Sequence, residues 1–270
     1  MTAAAFDRAY PADRPADVYL FGTCVIDLFM PAAGLDAVRL LEREGVTVHY
    51  PRGQSCCGQP AWSSGNPERA REVALAQMAL FPRDWPVIVP SGSCAGMMRH
   101  HWPELFAGDA ALSVQARELS ARIYELGEFL LNVLHVRYPA PAMADEDVVL
   151  HTSCGARREM GTRGHGVALV DGLPGVRRLE HARESECCGF GGTFCLKHPD
   201  ISGAMVADKI AAACATGARR VVSADCGCLL NIGHAARAGG APLEVEHLAS
   251  FLWRRANGLP AGEEGHDGRA

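Results

Sequence analysis

Four thiols held close together make a site for zinc or an iron–sulfur cluster, and most of this chain's cysteines fall into such sets. Cys24, the pair in Cys56-Cys57-Gly58, and Cys94 recur about 130 residues later as Cys154, the pair in Cys187-Cys188-Gly189, and Cys226. The contexts recur too, Thr23-Cys24 against Ser153-Cys154 and Ser91-Gly92-Ser93-Cys94 against Ser223-Ala224-Asp225-Cys226. A single buried cysteine usually packs as a small hydrophobe; eight in matching register call for a shared ligand. Adjacent cysteines in a strand would point to opposite faces, so each pair needs irregular backbone, which Gly58 and Gly189 can supply. A vicinal disulfide is the alternative for each pair, at the cost of strained linkage geometry. Thiolates repel one another until a cation arrives, which couples metal binding to folding.

Three cysteines stand outside the repeat. Cys214 lies in an alanine-rich helical stretch and reads as core, and Cys195 in Gly191-Gly192-Thr193-Phe194-Cys195 has no counterpart. Cys228, two residues past Cys226, is a candidate fifth ligand of the second site or a resolving thiol; on the matching above its position in the first half is Gly96.

The elements that must carry these thiols alternate between strand and helix. Apolar or β-branched runs at Asp17–Phe21, Pro86–Pro90, Val148–Thr152 and Arg220–Ser223 precede the single cysteines, and runs at Val46–Tyr50 and Val176–His181 precede the pairs. A helix follows Asn66 with Pro67 in its first turn and Ala70, Val73, Ala74, Met78 and Phe81 along one face; another follows Asp200 and stops at Gly217. The expected fold is α/β: two tandem pseudo-symmetric repeats, each a small parallel sheet covered by helices in Rossmann-like fashion, with the cysteine loops at the carboxyl ends of the strands. Each half should then gather its own four thiols into one cluster. The first cysteine-rich domain is expected over residues 1–140 and the second over 141–256, with a linker at Pro139–Ala142 and a disordered Gly- and charge-rich tail at 257–270.

Composition narrows the function classes. With 270 residues, 48% apolar and 21% charged, the chain can bury a large core and needs no disulfide staples. A net charge of -5 without a basic stripe argues against nucleic acid and anionic membranes as partners. The sequence shows neither a secretory signal nor an apolar run long enough to span a bilayer, so a cytoplasmic protein with reduced thiols is expected. Gly189-Phe190-Gly191-Gly192 fails as a dinucleotide fingerprint because the third glycine falls on Phe194. His151 and His181 could serve as proton-relay groups or as supports behind the thiols; they, His49, His100, His101 and the pair Arg157-Arg158 are more simply read as packed or solvated.

The strings Phe21-Gly22-Thr23-Cys24, Cys56-Cys57-Gly58-Gln59-Pro60, Ser91-Gly92-Ser93-Cys94-Ala95-Gly96-Met97, Glu186-Cys187-Cys188-Gly189-Phe190-Gly191-Gly192-Thr193-Phe194 and Asp225-Cys226-Gly227-Cys228-Leu229 resemble the cysteine-rich CCG domain found in the B-type subunit of heterodisulfide reductase and its relatives. Among these the likeness is to the lactate-utilisation protein A family; glycolate oxidase iron–sulfur subunits share the domain. The resemblance covers Val18 to Trp253. It implies an iron–sulfur subunit of a multiprotein system oxidising L-lactate to pyruvate, working beside a ferredoxin-like iron–sulfur protein and a third subunit. The metal ligands it implies are Cys24, Cys56, Cys57 and Cys94, then Cys154, Cys187, Cys188 and Cys226 with Cys228.

The heterodisulfide reductase pattern closes each set with C-x-x-C, whereas Met97 and Leu229 stand at the last position here. Four-thiolate sites are therefore expected, one 4Fe-4S cluster per half, with zinc in one half as the alternative. The sequence shows no nicotinamide or flavin site, so the organic step of a 2-hydroxy-acid oxidation would belong to another subunit. The expected role is electron transfer toward the respiratory chain; the alternatives are a thiol/disulfide reductase, a glycolate oxidase iron–sulfur protein and a zinc-binding assembly scaffold.

Overall fold

A computed structural model describes residues 8–138 and 143–261; the expected linker at Pro139–Ala142 and residues 262–270 of the tail expected over 257–270 lie outside the described residues, while Asn257 ends the last helix and Gly258 caps it. Two four-stranded parallel sheets form, β1 (Asp17–Leu20), β2 (Thr47–His49), β3 (Val87–Val89) and β4 (Ile123–Glu125) in the order β2-β1-β3-β4, then β5 (Glu146–Leu150), β6 (Val176–Leu179), β7 (Arg220–Ser223) and β8 (Glu244–His247) in the order β6-β5-β7-β8. Residues 87–89 of β3 and 220–223 of β7 are buried throughout, as parallel strands covered on both faces must be. The strand order reverses between β1 and β3, and again between β5 and β7. That reversal opens a crevice beyond the carboxyl ends of the strands, where ligands of such folds bind.

Six of the eight strands match the sequence reading to within a few residues, with β5 beginning and ending two residues earlier than expected. The last strand of each sheet, β4 or β8, goes beyond that reading. Their similarity is visible as Tyr124–Leu130 against Glu246–Leu252, but each has only a few strand residues before it turns into a helix, capped by Glu125 and His247 respectively. Asn66 caps the helix Pro67–Met78 through Arg69 N, as expected; on the inner face of that helix Gln77 is buried and Val73 only half-buried. The later helix runs Pro199–Cys214 with His198, not Asp200, at its cap.

The two halves share their core. Val18, Leu20 and Ile88 pack in one apolar cluster with Val148, Leu150, Val222, Phe251 and Leu252. The cause is a reciprocal crossing: the closing helix of the first half, Leu126–Asn132, lies on Arg163–Asp171 of the second, and the closing helix of the second, Leu248–Asn257, lies on Pro31–Arg43 of the first.

At the junction the backbones touch. A Cβ on Gly92 would sit 2.4 Å from Ala156 Cβ, and one on Gly155 would sit 2.8 Å from Ser93 Cα. Gly92→Ala is expected to lower stability by about 1–3 kcal/mol, the usual result of overpacking. Gly203→Ala, in open space on the helix Pro199–Cys214, is expected to raise it by about 0.5–1 kcal/mol. Thermal melts of the two variants check the contrast.

Candidate metal centre

Each cysteine is set by the end of a strand and the start of a helix. Thr23, after β1, takes a φ of 56°, rare for a β-branched residue, and its Oγ1 accepts from Ile26 N, which starts the helix at Cys24. Ser153 does the same after β5, accepting from Ala156 N at 3.1 Å. Ser91 caps the helix that carries Cys94, accepting from Cys94 N at 3.3 Å. Gly58 and Gly189 take φ of 92° and 87°, the left-handed conformation the paired cysteines required. Their amides then donate back to Cys56 Sγ at 3.4 Å and Cys187 Sγ at 3.3 Å. The second cysteine of each pair is anchored by its carbonyl, Cys57 O accepting from Trp102 Nε1 at 2.9 Å and Cys188 O from Asn231 Nδ2 at 2.8 Å.

All nine candidate thiols, Cys24, Cys56, Cys57, Cys94, Cys154, Cys187, Cys188, Cys226 and Cys228, line one cavity of about 250 Å³ where the halves meet. Within it the thiols group by half. Cys24 and Cys57 donate to Cys56, with Cys94 beside Cys57; Cys154 and Cys188 donate to Cys187, with Cys228 beside Cys188. None of the eleven cysteines is joined in a disulfide, the two adjacent pairs included.

The sheets correct the repeat at its last cysteine. Leu20 pairs with Ile88 and Leu150 with Val222, and six residues beyond Ile88 and Val222 stand Cys94 and Cys228. Strands β4 and β8 agree, since Val89 faces Glu125 and Ser223 faces His247, the two matched helix caps. Cys228, not Cys226, is therefore the counterpart of Cys94. Cys226 holds the place of Gly92, and Asp225 the place of Ser91. The matching of Ser-Gly-Ser-Cys with Ser-Ala-Asp-Cys misses this by two residues because it aligns identical letters and has no strand register to count from.

Asp225 and Ser91, the matched caps, meet across the junction. Ser91 Oγ, Ser93 N and Ser93 Oγ donate to Asp225 Oδ1 at 2.9, 3.0 and 2.6 Å. Three donors on one buried carboxylate oxygen lock the third cysteine loop of one half to that of the other.

The thiols are electrostatically unequal. Hydrogen bonds from Cys24 and Cys57, then from the Gly58 and Cys57 amides, bring Cys56 down to about 3 against the burial that would raise it. Bonds from Cys154 and Cys188 and the Gly189 amide bring Cys187 down to about 2. Their donors Cys24, Cys57, Cys154 and Cys188 are pushed up, by donating and by burial. Each half thus carries one thiolate ready to bind a cation at neutral pH. In metal-free protein, iodoacetamide should label Cys56 and Cys187 at rates nearly flat from about pH 8 to pH 5. Their partners Cys24, Cys57, Cys154 and Cys188 should slow about tenfold per pH unit, because only the thiolate reacts. Peptide mapping across that pH range checks this.

The donor set fits a soft metal or an iron–sulfur cluster: two groups of four thiols in a shared cavity, each with one thiolate in place. It also holds a nitrogen base. His151, after β5, is 2% exposed, and neither of its ring nitrogens has a hydrogen-bond partner among the described residues. Burial, with Lys209 adding to it, pushes its pKa down to about 3, so the ring is neutral. Cys195 is half-buried and donates to Gly192 O at 3.7 Å, apart from the cavity lining. Cys214 is half-buried against the core. Arg157 pairs with Glu184 at 2.9 Å, and His49 with Asp17 at 2.7 Å. Sequence reasoning alone passes over Trp102, Asn231, Ser91 and Asp225. Only the last two carry a local signal, as cap residues just ahead of a cysteine helix.

The model of the cysteine-rich domain, CCG, matches residues 18–99 and again 148–233. A protein named lactate utilization protein A in Shouchella clausii (strain KSM-K16) is 41% identical over 236 residues, which cover 87% of this chain and 98% of that one. Its namesake in Geobacillus kaustophilus (strain HTA426) is 40% identical over 87% of this chain and 98% of its own length. In fold, the chain is similar to the crystal structure of a hypothetical protein from Helicobacter pylori, with a TM-score of 0.65 at 9% identity. That likeness covers 97% of this chain, which spans 53% of the length of the Helicobacter protein.

Proposed function

The chain belongs to the cysteine-rich CCG domain family and, within it, to the lactate utilization protein A family, and from that membership we propose that it is an iron–sulfur electron-transfer subunit of a multiprotein system that oxidises L-lactate to pyruvate. The observation that carries the proposal is the single cavity lined by two matched groups of four thiols. Cys24, Cys56, Cys57 and Cys94 would hold one 4Fe-4S cluster and Cys154, Cys187, Cys188 and Cys228 a second, with Cys226 lining the same cavity. What such a cluster supplies is one-electron acceptance and release at modest structural change.

The protein's own groups do the rest. The Gly58 and Gly189 amides donate to Cys56 and Cys187 and favour added negative charge there. Trp102 and Asn231 hold the buried member of each pair in place, and Phe190 packs against the start of the second cysteine helix at Gly227, excluding water from that side. Asp225 with Ser91 and Ser93 keeps the two thiol groups at a fixed separation, which an electron passing between them requires.

Electrons from the lactate-oxidising partner would enter one group and leave from the other toward a ferredoxin-like iron–sulfur protein and on to the respiratory chain. Among the described residues no helix is long and apolar enough to cross a membrane, and the proposed setting is the cytoplasm. The test is complementation in a strain deleted for this chain. The wild type should restore growth on L-lactate and the double variant Cys57→Ser/Cys188→Ser should not. Full restoration by the double variant would contradict the proposal.

A further inference from the structure

The two thiol groups differ in their surroundings at matched positions. His151 follows Leu150 as Phe21 follows Leu20, so a buried imidazole in the second half replaces a buried phenyl ring in the first. Gly58 packs on the backbone of Ala70, and Gly189 on that of Ser202; seven residues further along those helices stand Gln77 and Lys209. Gln77 is neutral and fully engaged with Ser55, accepting from its N at 2.9 Å and donating to its Oγ at 3.0 Å. Lys209 is a buried ammonium that donates to Arg183 O and acts electrostatically on Cys187, Cys188 and Cys228.

The histidine is the more informative of these differences. One of its ring nitrogens, Cys188 Sγ and Cys228 Sγ lie within 4.8 Å of one another, with His151 and Cys188 buried and Cys228 half-buried. A fully buried imidazole with both nitrogens unpaired carries a desolvation cost that a ligand on one of them would relieve. Here the ring lines the thiol cavity, with a neutral nitrogen available to a cation.

We infer that His151 is a nitrogen ligand of the metal site in the second half, making it a mixed imidazole–thiolate centre beside an all-thiolate centre in the first. The inference rests on the iron–sulfur reading above. With all four thiolates of the second group kept, the imidazole is a neutral addition that leaves the charge of the centre unchanged; the Lys209 side chain, which acts electrostatically on Cys187, Cys188 and Cys228 where the first half has the neutral Gln77, favours added negative charge there and raises the reduction potential. The second centre is then the better electron acceptor, and electrons run from the first half to the second.

The experiment uses the full chain, purified without oxygen, grown with either natural-abundance or nitrogen-15 histidine and reduced with dithionite. Pulsed electron paramagnetic resonance reads nitrogen coupled to the reduced centres, and a redox titration reads their order. A strong coupling that changes isotope pattern with histidine labelling is expected in the wild type and in Cys57→Ser, where the second centre stands alone. In His151→Phe, which installs the residue of the matched position, that coupling should vanish; in Lys209→Gln, which does the same for the lysine, the higher of the two potentials should fall toward the lower. Iron-loaded wild type without any coupling sensitive to histidine labelling overturns the ligand assignment and leaves the electron-transfer reading standing, as does a coupling that persists in His151→Phe. Protein without iron overturns both.

Discussion

Cys57→Ser should lose about half of the protein's iron and sulfide, and Cys188→Ser the other half. Both cysteines are 2% exposed, and both are pinned through the carbonyl by a side chain outside the loop, Trp102 or Asn231. The serine oxygen would occupy nearly the same point, so the loss would report the change from a soft to a hard donor, not a collapsed loop. Halving, as opposed to total loss, follows from the grouping. The bonds that set the protonation of Cys24, Cys56, Cys57, Cys154, Cys187 and Cys188 join thiols of the same half, so each group can assemble without the other. Full metal content in both variants, or complete loss in either, would contradict two independent four-thiol groups.

Cys228→Ser should remove the second centre, while Cys226→Ala should keep it. The expectation comes from the paired strands. Cys228 stands where Cys94 stands, and it lies beside Cys188 as Cys94 lies beside Cys57. Cys226 takes the place of Gly92, a position the first half fills without any side chain. Cys226 is buried and interacts with its surroundings, so removing its sulfur is expected to cost about 1 kcal/mol, the scale of single-group core deletions. Iron content and visible absorption of the two variants give the answer, and equal loss in both would restore Cys226 to the ligand set.

Spacing alone makes the repeat, the parallel α/β halves and the nine cavity thiols legible, because cysteine is scarce and glycine marks the turn that each pair needs. Three things stay hidden, each for a physical reason. The closing strands β4 and β8 run straight into capped helices, so no alternating pattern develops. The shift from Cys226 to Cys228 depends on strand register, which a chain of letters does not display. The junction itself, with Ser91 and Ser93 on Asp225 and Gly92 against Ala156, joins residues far apart in the chain. His151 reads in the sequence as a packed or solvated histidine, and only its lack of hydrogen-bond partners and its nearness to Cys188 and Cys228 set it apart.

Two iron–sulfur centres in one cavity should show in iron and acid-labile sulfide analysis of the full chain purified without oxygen. About eight iron and about eight sulfide per chain are expected, four of each per cluster. A colourless protein holding zinc and no iron would contradict that assignment.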